Sequence, residues 1–150
     1  MSQLFYIHPD NPQPRLISQC VEVLRKGGVI VYPTDSGYAL GCMLGEKNAM
    51  ERICRIRNLD KTIGLRVPSN PIAFDLLAAL GEPLMSTTLM LPGNDFAESD
   101  PEEIQDALDK VVDLVIHGGF LGQQPTTVID LTEDSPEVVR VGAGDPKPFM

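Results

Sequence analysis

The sequence predicts an α/β or α+β fold built on a mixed sheet, and three observations carry that expectation. Apolar runs with strand character, such as Val29-Ile30-Val31-Tyr32 and Val111 to Ile116, are interleaved with stretches whose apolar residues recur at helical spacing. The helical stretches carry their own start and stop signals. The C-terminal end turns to extended segments, so helices packed on a sheet of mixed direction are expected.

Taken in order, Pro12 and Pro14 open a helix through Leu16, Ile17, Cys20, Val21 and Leu24. Gly27-Gly28 ends it, with Gly27 suited to the left-handed position after the helix. The strand Val29 to Tyr32 follows at once, and Tyr38 to Met43 reads as a second extended piece. Asn48 to Arg57 reads as a helix with Ala49, Met50, Ile53 and Ile56 inward. Thr62 to Val67 reads as a strand stopped by Pro68. Asn70-Pro71 supplies an N-cap and a first-turn proline for a helix from Ile72 to Leu80, which Gly81 ends. Pro83 to Leu91 is extended and breaks at Pro92-Gly93. Asp100-Pro101-Glu102-Glu103 starts a helix whose acidic first turn suits the helix dipole. Val111 to Ile116, Thr126 to Leu131 and Glu137 to Val141 are the late strands. No linker is long enough to divide two domains, so a single domain over residues 1–150 is expected.

Composition narrows the function. Apolar residues make up 43% of the 150 and charged residues 22%, ordinary for a globular protein. No run approaches the ~20 apolar residues of a membrane span, and the N-terminus lacks signal-peptide architecture. A cytoplasmic protein with no membrane partner is expected. Cys20, Cys42 and Cys54 show no metal-ligand spacing, and His8 and His117 lie far apart in sequence, so no metal site is expected. Net charge is −9, which disfavours nucleic acid as a general partner. Half of the cations nevertheless fall within residues 47–66, against only Glu51 and Asp60. That segment is either a solvated basic helix or a local anion site.

The residues with chemical potential lie at strand ends. Pro33-Thr34-Asp35-Ser36-Gly37 places hydroxyls and a carboxylate where a buried strand leaves the core. Turn chemistry explains the composition, and the carboxyl end of a strand is also where α/β sheets gather ligands. On a helical wheel centred on Ile53, Arg57 continues the apolar stripe and Arg55 falls nearly opposite. An inward guanidinium needs an acidic partner, either an internal carboxylate such as Asp35 or Asp130, or a substrate anion. Ser86-Thr87-Thr88, Thr126-Thr127-Val128 and Arg140-Val141-Gly142 add polar groups to extended segments. The P-loop, dinucleotide-binding and nucleophile-elbow signatures are absent.

Together "GGVIVYPTDSGYALG", "AMERICRIRNLD", "IGLRVPSNPIA", "GEPLMSTTLMLPG", "QPTTVIDL" and "VVRVG" resemble the YrdC-like domain family, most closely its YciO branch. The resemblance covers almost the whole chain, in family order. It implies a twisted sheet around a large concave cavity. It also implies synthesis of threonylcarbamoyl-AMP from L-threonine, bicarbonate and ATP, a step in threonylcarbamoyladenosine modification of tRNA. ATP enters as a substrate with Mg, and no tightly bound cofactor is expected. Family members also look like double-stranded RNA binders, so tRNA or double-stranded RNA is an implied partner.

Residue by residue, the family's K-x-R motif falls on Arg55-Ile56-Arg57, the implied catalytic pair. Its strand-end T-x-T falls on Thr34-Asp35-Ser36, with Tyr38 and Arg66 as further implied substrate contacts. Its nucleotide-side motifs fall on Ser86-Thr87-Thr88, on Thr126-Thr127-Val128 and on Arg140-Val141-Gly142. Arg55 stands where the family has Lys, and Thr88 where it has Asn; neither exchange is conservative in shape or hydrogen bonding. A larger departure lies between Asp60 and Lys61, where the family carries roughly a quarter of its domain, sheet strands included, and this chain runs on almost directly. These departures leave open a catalytically weak relative that binds RNA or a nucleotide.

Overall fold

The computed structural model describes residues 2–35, 37–56, 69–89, 98–119, 121 and 125–150, the side chains of residues 55 and 56 excepted. A five-stranded mixed sheet forms its centre, in the order β1-β5-β2-β3-β4. The strands are β1 (Gln3–Tyr6), β2 (Ile30–Thr34), β3 (Gly37–Met43), β4 (Leu84–Thr88) and β5 (Leu114–His117). β5 runs parallel to both β1 and β2, whereas β3 runs antiparallel to β2 and to β4. A separate antiparallel ladder joins β6 (Val128–Asp130) to β7 (Glu137–Arg140).

Four helices cover the sheet among the described residues: α1 (Pro14–Arg25), α2 (Lys47–Ile56), α3 (Pro71–Leu80) and α4 (Pro101–Leu108). Alternation along each strand sends side chains to two layers. On one face Ile30, Tyr32, Ala39, Leu114 and Ile116 pack against Ile17, Cys20 and Leu24 of α1 and Ile72, Leu76 and Leu80 of α3. On the other, Val31, Tyr38, Leu40, Cys42 and Val115 pack against Ala49 and Ile53 of α2 and Ile104 and Leu108 of α4. Each fully buried Leu or Ile stabilises the fold by about 1.5–3 kcal/mol relative to exposure.

The helix signals act as expected. Asn70 Oδ1 accepts from the backbone N–H groups of Ile72 and Ala73, and Asp100 Oδ1 accepts from that of Glu102. Gly27 sits at φ 86°, the left-handed position after α1, and Gly81 at φ 72° closes α3.

Boundaries shift at several elements. The strand expected over Val111 to Ile116 begins only at Leu114, because Val111 and Val112 close the turn after α4 by donating to Leu108 O. Thr126 to Leu131 contracts to Val128–Asp130, since Thr126 and Thr127 meet the β7 end through side chains instead. β1 was not expected: it is a short, half-exposed edge strand whose partner lies more than a hundred residues away. The expected strand Thr62 to Val67 and the break at Pro92-Gly93 lie outside the described residues.

Candidate functional site

The carboxyl end of β2 and the edge strand β4, one strand away across β3, place three of the sequence-selected hydroxyl residues on one sheet face. β2 contributes Thr34 two residues after Tyr32, so both side chains share a side. β4 contributes Ser86 and Thr88, again two apart. Registers tie them together, since Tyr32 pairs with Ala39, which pairs with Thr88, and Gly41 pairs with Ser86.

Gly41 is what lets this strip close. A Cβ there would lie 2.9 Å from Tyr32 Cε1. With none present, the tyrosine ring crosses β3 and its hydroxyl donates to Ser86 Oγ. Thr34 is buried and donates from Oγ1 to Gly37 O at 2.6 Å, closing the turn into β3. Asp35 Oδ2 accepts from the Ser69 backbone N–H at 2.7 Å, so the end of β2 is also tied to the entrance of α3.

Tyr38 takes a different course. It lies on the opposite sheet face, fully buried, and its hydroxyl is engaged twice. It donates to Gly119 O at 2.7 Å and accepts from the Gly118 N–H at 3.0 Å. Burial pushes its pKa up to about 12, the Gly118 hydrogen bond opposing that rise. The hydroxyl therefore braces the turn after β5.

A second cluster forms at the β6–β7 ladder. Arg140 Nε donates to Thr126 O at 2.8 Å, and its terminal nitrogen to Thr126 Oγ1 at 3.3 Å. Thr127 Oγ1 accepts from the Gly142 N–H at 2.8 Å and donates to Gly144 O. Gly142 is obligatory here, since a Cβ would fall 2.1 Å from Pro125 O. Residues 14 to 17 apart in sequence thus meet as one polar group, with Arg140 exposed.

Ala49 and Ile53 are buried as the helical wheel requires. Arg55 lies on α2 with its side chain not described, and Arg57, Ser36 and Arg66 lie outside the described residues. Asp130, considered as a partner for Arg57, accepts from its own turn, from Thr132 N at 2.8 Å and Thr132 Oγ1 at 2.6 Å. These bonds hold its carboxyl below the usual range.

Sequence reasoning missed one ionic clamp in the basic segment. Arg52 pairs with Asp113 at 2.9 Å and donates to Val111 O at 2.6 Å. Asp113 Oδ2 also accepts from the buried Val29 N–H at 2.9 Å. One of the segment's cations is therefore structural. Its signal was Asp113, an acid inside the apolar run Val111 to Ile116, which was read there as part of a strand.

The chain matches the Sua5, YciO and YrdC family, described as "Telomere recombination", over residues 22–61 and 58–142. It belongs to the Sua5/YciO/YrdC family. The YciO protein of Escherichia coli is 55% identical over 206 residues, spanning the whole of both chains. Its crystal structure superposes with a TM-score of 0.92, again over the whole of each. A threonylcarbamoyl-AMP synthase of Saccharophagus degradans is 44% identical over 41 residues, 27% of this chain and 22% of its own. The structure of P. abyssi Sua5 complexed with L-threonine shares the fold, with a TM-score of 0.78 at 18% identity, over 94% of this chain and 58% of that one.

Two features of these matches bear on the site. The alignment to YciO is longer than the 150 residues here, so the relative carries positions with no counterpart in this chain. The family match divides at residues 58–61, the junction where the sequence departs from the Sua5/YciO/YrdC pattern. The hydroxyl strip on β2 and β4 and the β6–β7 cluster lie on either side of that junction in sequence or beyond it. The elements that carry them are present without the extra segment.

Proposed function

We propose that this protein condenses L-threonine, bicarbonate and ATP into threonylcarbamoyl adenylate, supplying the threonylcarbamoyl group for tRNA modification. The observation that carries this reading is the strip of Thr34, Tyr32, Ser86 and Thr88 that crosses one face of β2, β3 and β4, with Thr34 at the carboxyl end of β2. It stands in a fold shared with a Sua5 protein solved with L-threonine. In the proposed reaction the threonine amine attacks the bicarbonate carbon and water leaves. A carbamate oxygen then attacks the α-phosphorus of ATP and pyrophosphate leaves; Mg brought in with ATP would offset the negative charge of the phosphates.

Thr34, Ser36 and Arg66 would hold the amino acid. Arg55 and Arg57 would offset the charge that builds on the phosphates. Ser86, Thr88, Thr126, Thr127 and Arg140 would line the nucleotide side. Tyr38 would act on this site through the turn it braces.

Incubation with all three substrates should yield threonylcarbamoyl adenylate by mass spectrometry, with pyrophosphate release that requires threonine. Arg57→Ala should lower the rate by about 10²-fold or more. Adenylate no higher than in an enzyme-free control rejects the proposal.

A second reading, a catalytically weak relative that binds nucleotide or double-stranded RNA, is favoured by the shortened junction and by Arg55 and Thr88 in place of Lys and Asn. It expects ATP to raise the melting temperature with no adenylate formed.

A further inference from the structure

The two histidines of this chain, 109 positions apart in sequence, line one open cleft of about 340 Å³. It lies where the parallel strands β1 and β5 end at their carboxyl termini. Tyr6, His8, Pro9, Gln13, His117 and Gly119 line it, Tyr6 and His117 side by side as partners on adjacent strands. The volume falls within the range of small-molecule sites, and the location is where parallel strands gather ligands. None of these residues belongs to the hydroxyl strip or to the β6–β7 cluster.

The imidazoles are oriented by backbone. Nδ1 of His117 accepts from the Gly119 N–H at 3.2 Å, and Nδ1 of His8 accepts from the Asp10 N–H at 3.3 Å. A ring nitrogen that accepts a hydrogen bond carries no proton, so each neutral ring bears its proton on Nε2. Among the described residues neither Nε2 has a partner. Each ring thus keeps an Nε2–H that no described residue accepts. Metal binding through Nε2 would require the other tautomer and would break both backbone contacts.

The walls are flat and apolar. The Tyr6 ring stacks on the His117 imidazole with centroids 4.6 Å apart and planes 29° from parallel, and Pro9 adds a further apolar surface. Gln13 is spent on holding the loop, accepting from the His8 N–H at 3.0 Å and donating to Tyr6 O at 3.3 Å. Flat apolar walls select a ring, which stacks on aromatic faces. Two N–H donors select an oxygen acceptor on that ring.

We propose that the β1–β5 cleft is a second binding site, taking a small planar ring that carries a carbonyl or carboxylate oxygen. The site is tested by NMR on the full chain, with long-range ¹H–¹⁵N spectra of the imidazoles and titration with benzamide, benzoate and inorganic phosphate. The expected spectra show both rings protonated at Nε2. Benzamide or benzoate should shift the Tyr6, His8, His117 and Gly119 signals with affinity of about 1–10 mM, reasonable for so small a probe.

The variants His8→Asn and His117→Asn keep an acceptor in the Nδ1 position and remove the Nε2 donor. Each should weaken binding about fivefold or more, while the remaining amide spectrum stays native. Preference for benzamide would assign a carbonyl ligand, and preference for benzoate a carboxylate. The proposal is overturned by rings protonated at Nδ1, by no shift up to about 50 mM probe, by phosphate acting as strongly as either ring compound, or by asparagine variants that bind as well as the native chain.

Discussion

A hydroxyl at the end of a buried strand can serve a ligand or the fold, and Thr34 and Tyr38 show that sequence position alone does not separate the two. Thr34 closes a turn yet stays on the face shared with Ser86 and Thr88. Tyr38, four residues on, turns to the opposite layer and fastens Gly118 and Gly119. Replacing it with Phe keeps the ring and strands a buried N–H without its acceptor. Tyr38→Phe should therefore destabilise the protein by about 1–3 kcal/mol, read as a lower urea midpoint at unchanged m-value. A midpoint equal to the native one would show that water replaces the hydroxyl. The resemblance named Tyr38 but could not give its direction, because strand alternation is meaningful only once the register is known.

The elements most legible in the sequence are those that end on local chemistry. α1, α3 and α4 each have Pro in the first turn, and α3 and α4 have side-chain caps besides. These signals act within four residues and need no tertiary context. β1 carried no comparable signal, and its existence depends on β5. The same holds for the clamp between α2 and the segment before β5. Arg52→Ala removes a partly exposed ion pair and one hydrogen bond and should cost about 1 kcal/mol. Asp113→Ala also leaves the Val29 N–H, buried at 0% exposure, without its acceptor. It should cost about 1–3 kcal/mol and exceed the arginine variant. Chemical denaturation of both, with the double variant, tests the order. Equal costs would mean that the ion pair, not the buried amide, dominates.

At the scale of the whole molecule, the two layers share one electrostatic habit: burial favours the neutral form of Cys20, Cys42 and Tyr38. Burial pushes the thiol of Cys20 up to about 12 and that of Cys42 to about 11, from an ordinary 9.0. Tyr38 rises likewise from 10.0 to about 12. In the unfolded chain these groups ionise first. Their contribution is therefore complete below about pH 9 and is lost as pH climbs through 11 to 12. Urea midpoints should be level from pH 7 to 8.5 and fall steadily by pH 10.5, with a shallower fall in Cys20→Ala. A flat profile to pH 11 would contradict the burial of these groups. Histidine placement is the part of the molecule least legible beforehand. His8 and His117 read as unrelated in the sequence, and only the parallel pairing of the first and fifth strands sets them across one opening.

That pairing also sets a timetable. Gln3 meets Leu114, and Ile30 meets Leu114 from the other side, so one late strand fills the slot between two early ones. Closing loops of this length is slow and comes before any energetic return. During synthesis the first strand and the hairpin of β2 and β3 must leave the ribosome with a row of unpaired backbone groups between them. Until residue 117 has emerged, the nascent protein carries that open slot, and a chaperone or a second nascent copy could compete for it.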